Sequence, residues 1–169
     1  MIRLATPGDA AAIASIHNET IATRTATMET DPKTPEGVAA WMGALSDREE
    51  VHVLELDGAV VGWGVLKRYS PRPGYRFTGE TSVFLRHDHR RQGHGTAIKH
   101  VLLARARHHG YHHLLARIVA ANRESIAYNQ RLGYELVGIQ REAGFLEGRF
   151  VDIAVLQLLL DQAPGREEA

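Results

Sequence analysis

A chain of 169 residues with 20 Lys and Arg against 20 Asp and Glu carries no net charge. That length makes one domain with a real core and little room for a second, and the charge balance sets nucleic acid aside as a partner. No apolar run approaches the roughly 18 residues of a membrane span, the amino terminus lacks a signal-like apolar region, and cysteine is absent. Disulfides, thiolate metal sites, a cysteine nucleophile and a membrane partner are therefore not expected, and the expected location is the cytoplasm.

Thr6-Pro7-Gly8-Asp9 reads as a helix start, with Thr6 as N-cap, proline at the first helical position and an acid three residues after the cap. Ile13, Ile16, Thr20 and Ile21 then share one face. A second start at Thr34-Pro35-Glu36 leads into Val38, Trp41, Met42 and Leu45 at helical spacing, after a polar, threonine-rich connection from Ala22 to Lys33. Val51 to Leu56 and Ala59 to Leu66 read as strands joined by an Asp57-Gly58 hairpin turn. Ser70-Pro71-Arg72-Pro73-Gly74 is a loop, and Thr78 to Arg86 a strand.

Thr96 to His109 reads as a helix with Ala97, Ile98, Val101, Leu102 and Ala104 as its apolar stripe. A strand from His113 to Val119, a helix from Ser125 to Leu132 ended by Gly133, and a strand from Tyr134 to Gly138 follow. A last strand carries Val151, Ile153 and Val155 on one face and continues into Leu158-Leu159-Leu160. The domain is read as residues 1–161, with 162–169 a polar tail that frays. His108-His109 and His112-His113 are the densest of the ten histidines, but Gly110 ends the helix between them, so solvated loop histidines are expected and no metal. This order suits an α/β (α+β) fold, a mixed sheet with helices on both faces.

The most informative stretch is Arg90-Arg91-Gln92-Gly93-His94-Gly95-Thr96, because the apolar run Ser82-Val83-Phe84-Leu85 stops just before it and a helix pattern starts just after. Two glycines remove the side chains that would keep a phosphate from the backbone, and the unpaired amides of a helix's first turn point at that phosphate. A Walker A loop would need Lys-Ser/Thr where Thr96-Ala97 stands, and a dinucleotide fingerprint a third glycine where Ile98 stands. A structural turn remains the alternative to an anion site.

The Arg-x-x-Gly-x-Gly order between a strand and a helix resembles the acetyl-coenzyme A signature of the GCN5-related N-acetyltransferase (GNAT) superfamily. Three further segments resemble its phosphinothricin and methionine sulfoximine/sulfone acetyltransferases. These are Thr25-Ala26-Thr27-Met28-Glu29 with Pro32 and Pro35 downstream, Tyr75-Arg76-Phe77-Thr78-Gly79-Glu80-Thr81-Ser82-Val83, and Ala121-Asn122-x-x-Ser125-Ile126 running into Arg131-Leu132-Gly133-Tyr134. The resemblance implies a mostly antiparallel twisted sheet, acetyl-coenzyme A (acetyl-CoA) as cosubstrate, a small amine acceptor, direct attack in a ternary complex, and a homodimer. It places the coenzyme on Val83, Phe84, Leu85, the loop from Arg90 to Thr96, Asn122, Ser125 and Tyr128.

Acetyl transfer to an amine needs a base, a donor for the charge that develops on the carbonyl oxygen, and a proton for the departing thiolate. Glu80 occupies the position of the family's base, where partial burial is expected to raise its pKa; alternatively it is an edge-strand acid in water. The oxyanion donor is expected to be a backbone amide between Ser82 and Phe84, freed by a bulge. Tyr128 either serves the thiolate as acid or packs on the sheet. Asn122 bonds the pantetheine arm or caps its helix, and Ser125 holds a phosphate or faces solvent. Thr27, Met28, Glu29, Arg72, Tyr75 and Arg76 are the candidates around the acceptor, the arginines as bidentate anion holders or as solvated charges. Met28, Phe77 and Asn129 depart from the family's usual aromatic, tryptophan and histidine. Rival acceptors are a protein amino terminus, a polyamine or an aminoglycoside, and the rival class is a non-catalytic coenzyme sensor.

Overall fold

A computed structural model describes residues 1–160; the tail proposed for 162–169 lies outside them. Strands β1 (Ile2–Leu4), β2 (Glu50–Leu56), β3 (Ala59–Arg68), β4 (Thr78–Leu85), β5 (His113–Val119), β6 (Glu135–Leu146) and β7 (Arg149–Leu159) form one sheet in the order β1-β2-β3-β4-β5-β7-β6. Only the β4–β5 pair is parallel. Helices α1 (Ala10–Ala22) and α2 (Pro35–Gly43) cover one face, burying Ile13, Ile16 and Val38 against Trp63 and Val65. Helices α3 (His94–His108) and α4 (Arg123–Arg131) cover the other, with Ile98, Leu102 and Ile126 packed on Leu114, Ala116 and Leu156. The mixed α/β sheet expected from the element order, and the mostly antiparallel pairing that the resemblance implies, are the ones observed. Among the described residues no helix is long and apolar enough to cross a membrane.

Local rules account for most element boundaries. The Asp9 carboxylate accepts from the Thr6 amide and hydroxyl at 2.7 and 2.9 Å, but a 3₁₀ turn over Pro7–Asp9 intervenes, so α1 begins at Ala10. Thr34 caps α2 by accepting from the Gly37 amide. Asp57 and Gly58 both take positive φ, as the two-residue hairpin demands. A Cβ on Gly64 would stand 2.6 Å from Ile98, so glycine in β3 is what lets α3 lie this close to the sheet.

Three features differ from the sequence reading. The three-residue β1 pairs with β2 and is too short to give an alternating pattern. β6 runs to Leu146 instead of ending at Gly138, with register shifts at Leu136/Gly138 and Gln140/Gly144. It is an edge strand, mostly exposed, and its ladder to β7 is made by backbone groups that leave no hydrophobic period. Finally, His109 is not a solvated loop residue: it, His52 and Arg105 converge on Glu50 and staple the end of α3 to β2. Burial alone would raise the Glu50 pKa, but these hydrogen bonds outweigh it and hold the carboxyl at about 2. Among the described residues no cluster of three histidines or carboxylates is arranged to hold a metal.

Candidate active site

β4 pairs with β3 along its whole length without a register shift, yet with β5 only from Thr78 to Glu80. Beyond that point β5 stays with β7, and the two strands diverge. The Arg86 amide donates to the Val61 carbonyl at 2.9 Å and the Tyr69 amide to the Thr78 carbonyl at 3.1 Å, so even-numbered residues of β4 direct their backbone groups at β3. Val83 and Leu85 therefore turn theirs toward the space β5 has left. The freed amides exist as expected, but a splay between strands releases them; the bulge expected in β4 is absent.

The splay opens a cleft of about 650 Å³. Its floor is the Val83, Phe84 and Leu85 stretch, one end is the glycine loop, and α4 forms its far wall through Asn122, Ser125 and Tyr128. Gly93 has φ +82° and open space where a Cβ would stand, and α3 begins directly after it at His94. The first helical bond runs from the Ala97 amide to the Gly93 carbonyl, which leaves the amides of His94, Gly95 and Thr96 without helical partners. With Arg90 and Arg91 beside them, these amides and the helix dipole suit a pyrophosphate, and the amides of Val83 and Leu85 suit a chain of amide groups running along β4. The residues present thus fit coenzyme A.

Individual assignments sort as follows. The Gln92 side chain turns back to the Asp88 carbonyl, the His94 ring lies 6.2 Å from the His89 ring, and neither lines the cleft. Arg91 meets Glu124 at 3.0 Å, with both side chains mostly in water. Asn122 accepts from the Ser125 amide and so caps α4. Tyr128 donates its hydroxyl to the Gly95 carbonyl at 2.8 Å, tying α4 to the start of α3, and burial pushes its pKa up.

A second cleft, of about 490 Å³, opens on the opposite face under α1 and α2. Trp63, Phe84 and His17 form an aromatic wall, with Trp63 and Phe84 stacked at 4.4 Å and His17 4.8 Å from Phe84. Burial pulls the His17 pKa down, so its ring is neutral, and its Nε2 has no partner. Thr27 and Glu29 line this cleft as anticipated, together with Lys33 and Lys67. Ser82 and Phe84 line both clefts, so the two meet through the sheet at β4.

The other acceptor candidates lie elsewhere. Arg72, Tyr75 and Arg76 line neither cleft: Tyr75 packs edge-on to Tyr69, and the Arg76 guanidinium sits 4.5 Å above the Phe77 ring. Met28 is partly exposed beside Gly144. Lys67 was legible in principle, since it follows Trp63 and Val65 at the strand period of two.

Glu80 is buried on the same face of β4 as Ser82, one strand period away, or about 7 Å. It lines neither cleft. Arg117 from β5 approaches Oε1 at 2.7 Å and Lys67 from β3 approaches Oε2 at 3.3 Å. The expected acid in apolar surroundings is thus a carboxylate between two cations, which burial alone does not describe. Oε1 is buried and, apart from the Arg117 approach, receives no aligned hydrogen bond.

Lys99 belongs to no motif in the sequence, yet it lines the first cleft with Thr81 while being only 2% exposed. Its Nζ donates to Thr81 Oγ1 at 2.6 Å and stands 4.6 Å from the centre of the Tyr134 ring, whose hydroxyl shares a 2.8 Å hydrogen bond with Thr81.

Similar proteins agree with this geometry. The family model for the acetyltransferase (GNAT) domain matches residues 2–155. The L-methionine sulfoximine/L-methionine sulfone acetyltransferase of Pseudomonas paraeruginosa is 33% identical over 162 residues, covering 95% of this chain and 94% of that protein. The phosphinothricin N-acetyltransferase of Streptomyces viridochromogenes is 33% identical over 156 residues, covering 92% and 85%. A putative acetyltransferase from Salmonella typhimurium, solved with its cofactor acetyl-CoA, superposes with a TM-score of 0.92 at 28% identity, over 100% of this chain and 98% of that one. With a phosphate-ready loop at one end of a splayed β4–β5 pair and a family match over nearly its whole length, this chain belongs to the GNAT family of acetyltransferases.

Proposed function

We propose that the enzyme acetylates the amine of a small, amino-acid-like acceptor of the phosphinothricin, methionine sulfoximine or methionine sulfone type, by direct attack in a ternary complex with acetyl-CoA. The observation that carries this reading is the meeting of two clefts at Ser82 and Phe84: one suits the coenzyme, the other suits a compact ligand, and β4 is their common wall. Bringing both reactants to one point removes the need for an acyl-enzyme.

Acetyl-CoA supplies the acyl group as a thioester, and the chain supplies placement and protons. The Val83 amide, facing the splay, is the donor for charge developing on the carbonyl oxygen. Glu80, held between Lys67 and Arg117, takes the amine proton through a water bridging the distance to Ser82. In the second cleft Lys33 pairs with Glu29 at 2.6 Å and Lys67 with Glu80 at 3.3 Å, so both ammonium groups can reach an acceptor's anionic group while neither carboxylate is left unpaired for a polycation. The relatives' names support the same acceptor class.

The exposed apolar side chains Leu136, Val137, Ile139, Phe145 and Phe150 of the β6–β7 hairpin support a homodimer, since a second copy would cover them. Light scattering at micromolar concentration should return twice the mass of the chain; a monomer mass would reject the pairing.

A panel of amines assayed for coenzyme A release should rank methionine sulfone, methionine sulfoximine and phosphinothricin above spermidine and a peptide amino terminus. Lys33→Ala should raise the acceptor's KM about tenfold with kcat nearly kept, while Arg72→Ala leaves both alone. Spermidine or the peptide outpacing every amino acid would overturn the acceptor class, and a KM effect confined to Arg72→Ala would move the site. Glu80→Gln should lower turnover at neutral pH by roughly 100-fold, with the deficit shrinking at higher pH as the amine deprotonates unaided. Equal rates across the pH range would place the base elsewhere.

A further inference from the structure

Two groups stand near the coenzyme cleft with a proton to give, and their surroundings differ. Tyr128 already donates its hydroxyl to the Gly95 carbonyl, and burial makes its phenol a weaker acid than the ordinary value of 10.0. A thiol titrates at about 8.5, so proton transfer from such a phenol to a thiolate runs uphill. Lys99 is the opposite case. It lies under the apex of the splay, where Thr81 is the first residue of β4 beyond the last β4–β5 pair, and its ammonium has one hydroxyl acceptor for three N–H donors.

We propose that Lys99, working through the Thr81 hydroxyl, is the positioning residue that delivers a proton to the coenzyme sulfur during acetyl transfer. This rests on the acetyl-transfer reading above. The amine nitrogen bonds to the acyl carbon, the carbon–sulfur bond breaks, and the amine proton leaves through the water beside Glu80. Thr81 passes its hydroxyl proton to the departing sulfur and takes one from the Lys99 ammonium, and the neutral lysine regains a proton from solvent. No oxidant, metal or further reactant is required.

The groups around Lys99 leave its acidity to desolvation. Tyr134 faces it with a phenol pushed up to about 12, Tyr128 and Arg131 line the cleft from α4, Arg117 comes from β5, and Glu80 occupies the opposite face of β4. β3 presents Gly62 and Gly64 to α3, and Glu50 with Arg105 pair at the far end of the helix. Among the described residues no carboxylate pairs with Lys99, and burial lowers its pKa from 10.5 to about 7. Transfer from that ammonium to a thiolate runs downhill.

The sign of the pH dependence follows. Lys99 acts protonated, so its contribution to kcat is present at low pH and lost as pH rises through its pKa, opposite to the limb set by deprotonation of the amine. Wild-type enzyme should therefore show a limb of kcat falling toward high pH. Lys99→Met should lose that limb, with kcat reduced about tenfold below it and the KM for acetyl-CoA nearly unchanged; Tyr128→Phe should keep it. Thr81→Val breaks the relay with a near-isosteric side chain and should reproduce the Lys99→Met profile, which keeps the test open if Lys99→Met does not fold. Independently of turnover, the ε-carbon resonance of Lys99 in 13C-lysine-labelled protein should titrate near neutrality and move when coenzyme A binds. A limb that survives in both variants, or a Lys99 resonance titrating near the ordinary value of about 10.4, would overturn the assignment. Failure of the wild type to acetylate any amine would instead strike the function, and the resonance would still decide the role of Lys99.

Discussion

The separation of β4 from β5 after Glu80 is the constraint on which the rest of the site depends. A sheet that stayed paired would satisfy the odd-numbered amides of β4 with carbonyls of β5, and no ligand could reach them. Because the strands part, Val83 and Leu85 present donors at a cleft wall, and that wall continues into the glycine loop and the start of α3. Tyr128 spans from α4 to the Gly95 carbonyl at that start. The same divergence lets the first cleft reach through the sheet to Ser82 and Phe84, where the second cleft begins.

Charge is arranged around that opening in two different ways. On the face covered by α1 and α2, the buried Glu80 sits between Lys67 at 3.3 Å and Arg117 at 2.7 Å, so its burial is compensated by two cations. On the face covered by α3 and α4, Lys99 meets no carboxylate among the described residues, only a hydroxyl and an aromatic face, so its burial weakens its hold on a proton. An acid flanked by two cations and a buried lysine without a compensating charge lie on opposite sides of one strand.

Much of the framework was legible because local chemistry dictated it. The Asp57-Gly58 turn needs positive φ at both residues and shows it, and Gly93 takes a left-handed φ where the loop meets α3. The glycine loop was legible for the same reason as a candidate anion site, and it was the family resemblance of the neighbouring segments that set a coenzyme site above a structural turn. The lining of the second cleft was less so. Arg72 and Arg76 are adjacent in sequence to the catalytic strand but are carried away from the clefts with the Pro73–Tyr75 turn, whereas Lys33 and Lys67 come from distant segments and meet only in the fold. Lys99 was hidden by its own helix: it falls on the buried face with Leu102 and Leu103, where a lone polar residue in an apolar stripe leaves no periodic trace. β6 was cut short because an edge ladder is specified by backbone bonds that the side-chain pattern does not record.

The coenzyme cleft itself is tested most directly at Gly95. A Cβ there would stand 3.5 Å from Leu85 and 3.6 Å from the Tyr128 hydroxyl, ordinary contacts, and its φ is not left-handed, so the backbone tolerates a side chain. Calorimetric titration of Gly95→Val with acetyl-CoA should therefore give a folded protein whose Kd is raised at least about tenfold over wild type, because the added branches occupy the approach to the helix amides. A folded variant that binds acetyl-CoA as tightly as wild type would contradict the placement of the coenzyme in the splay between β4 and β5.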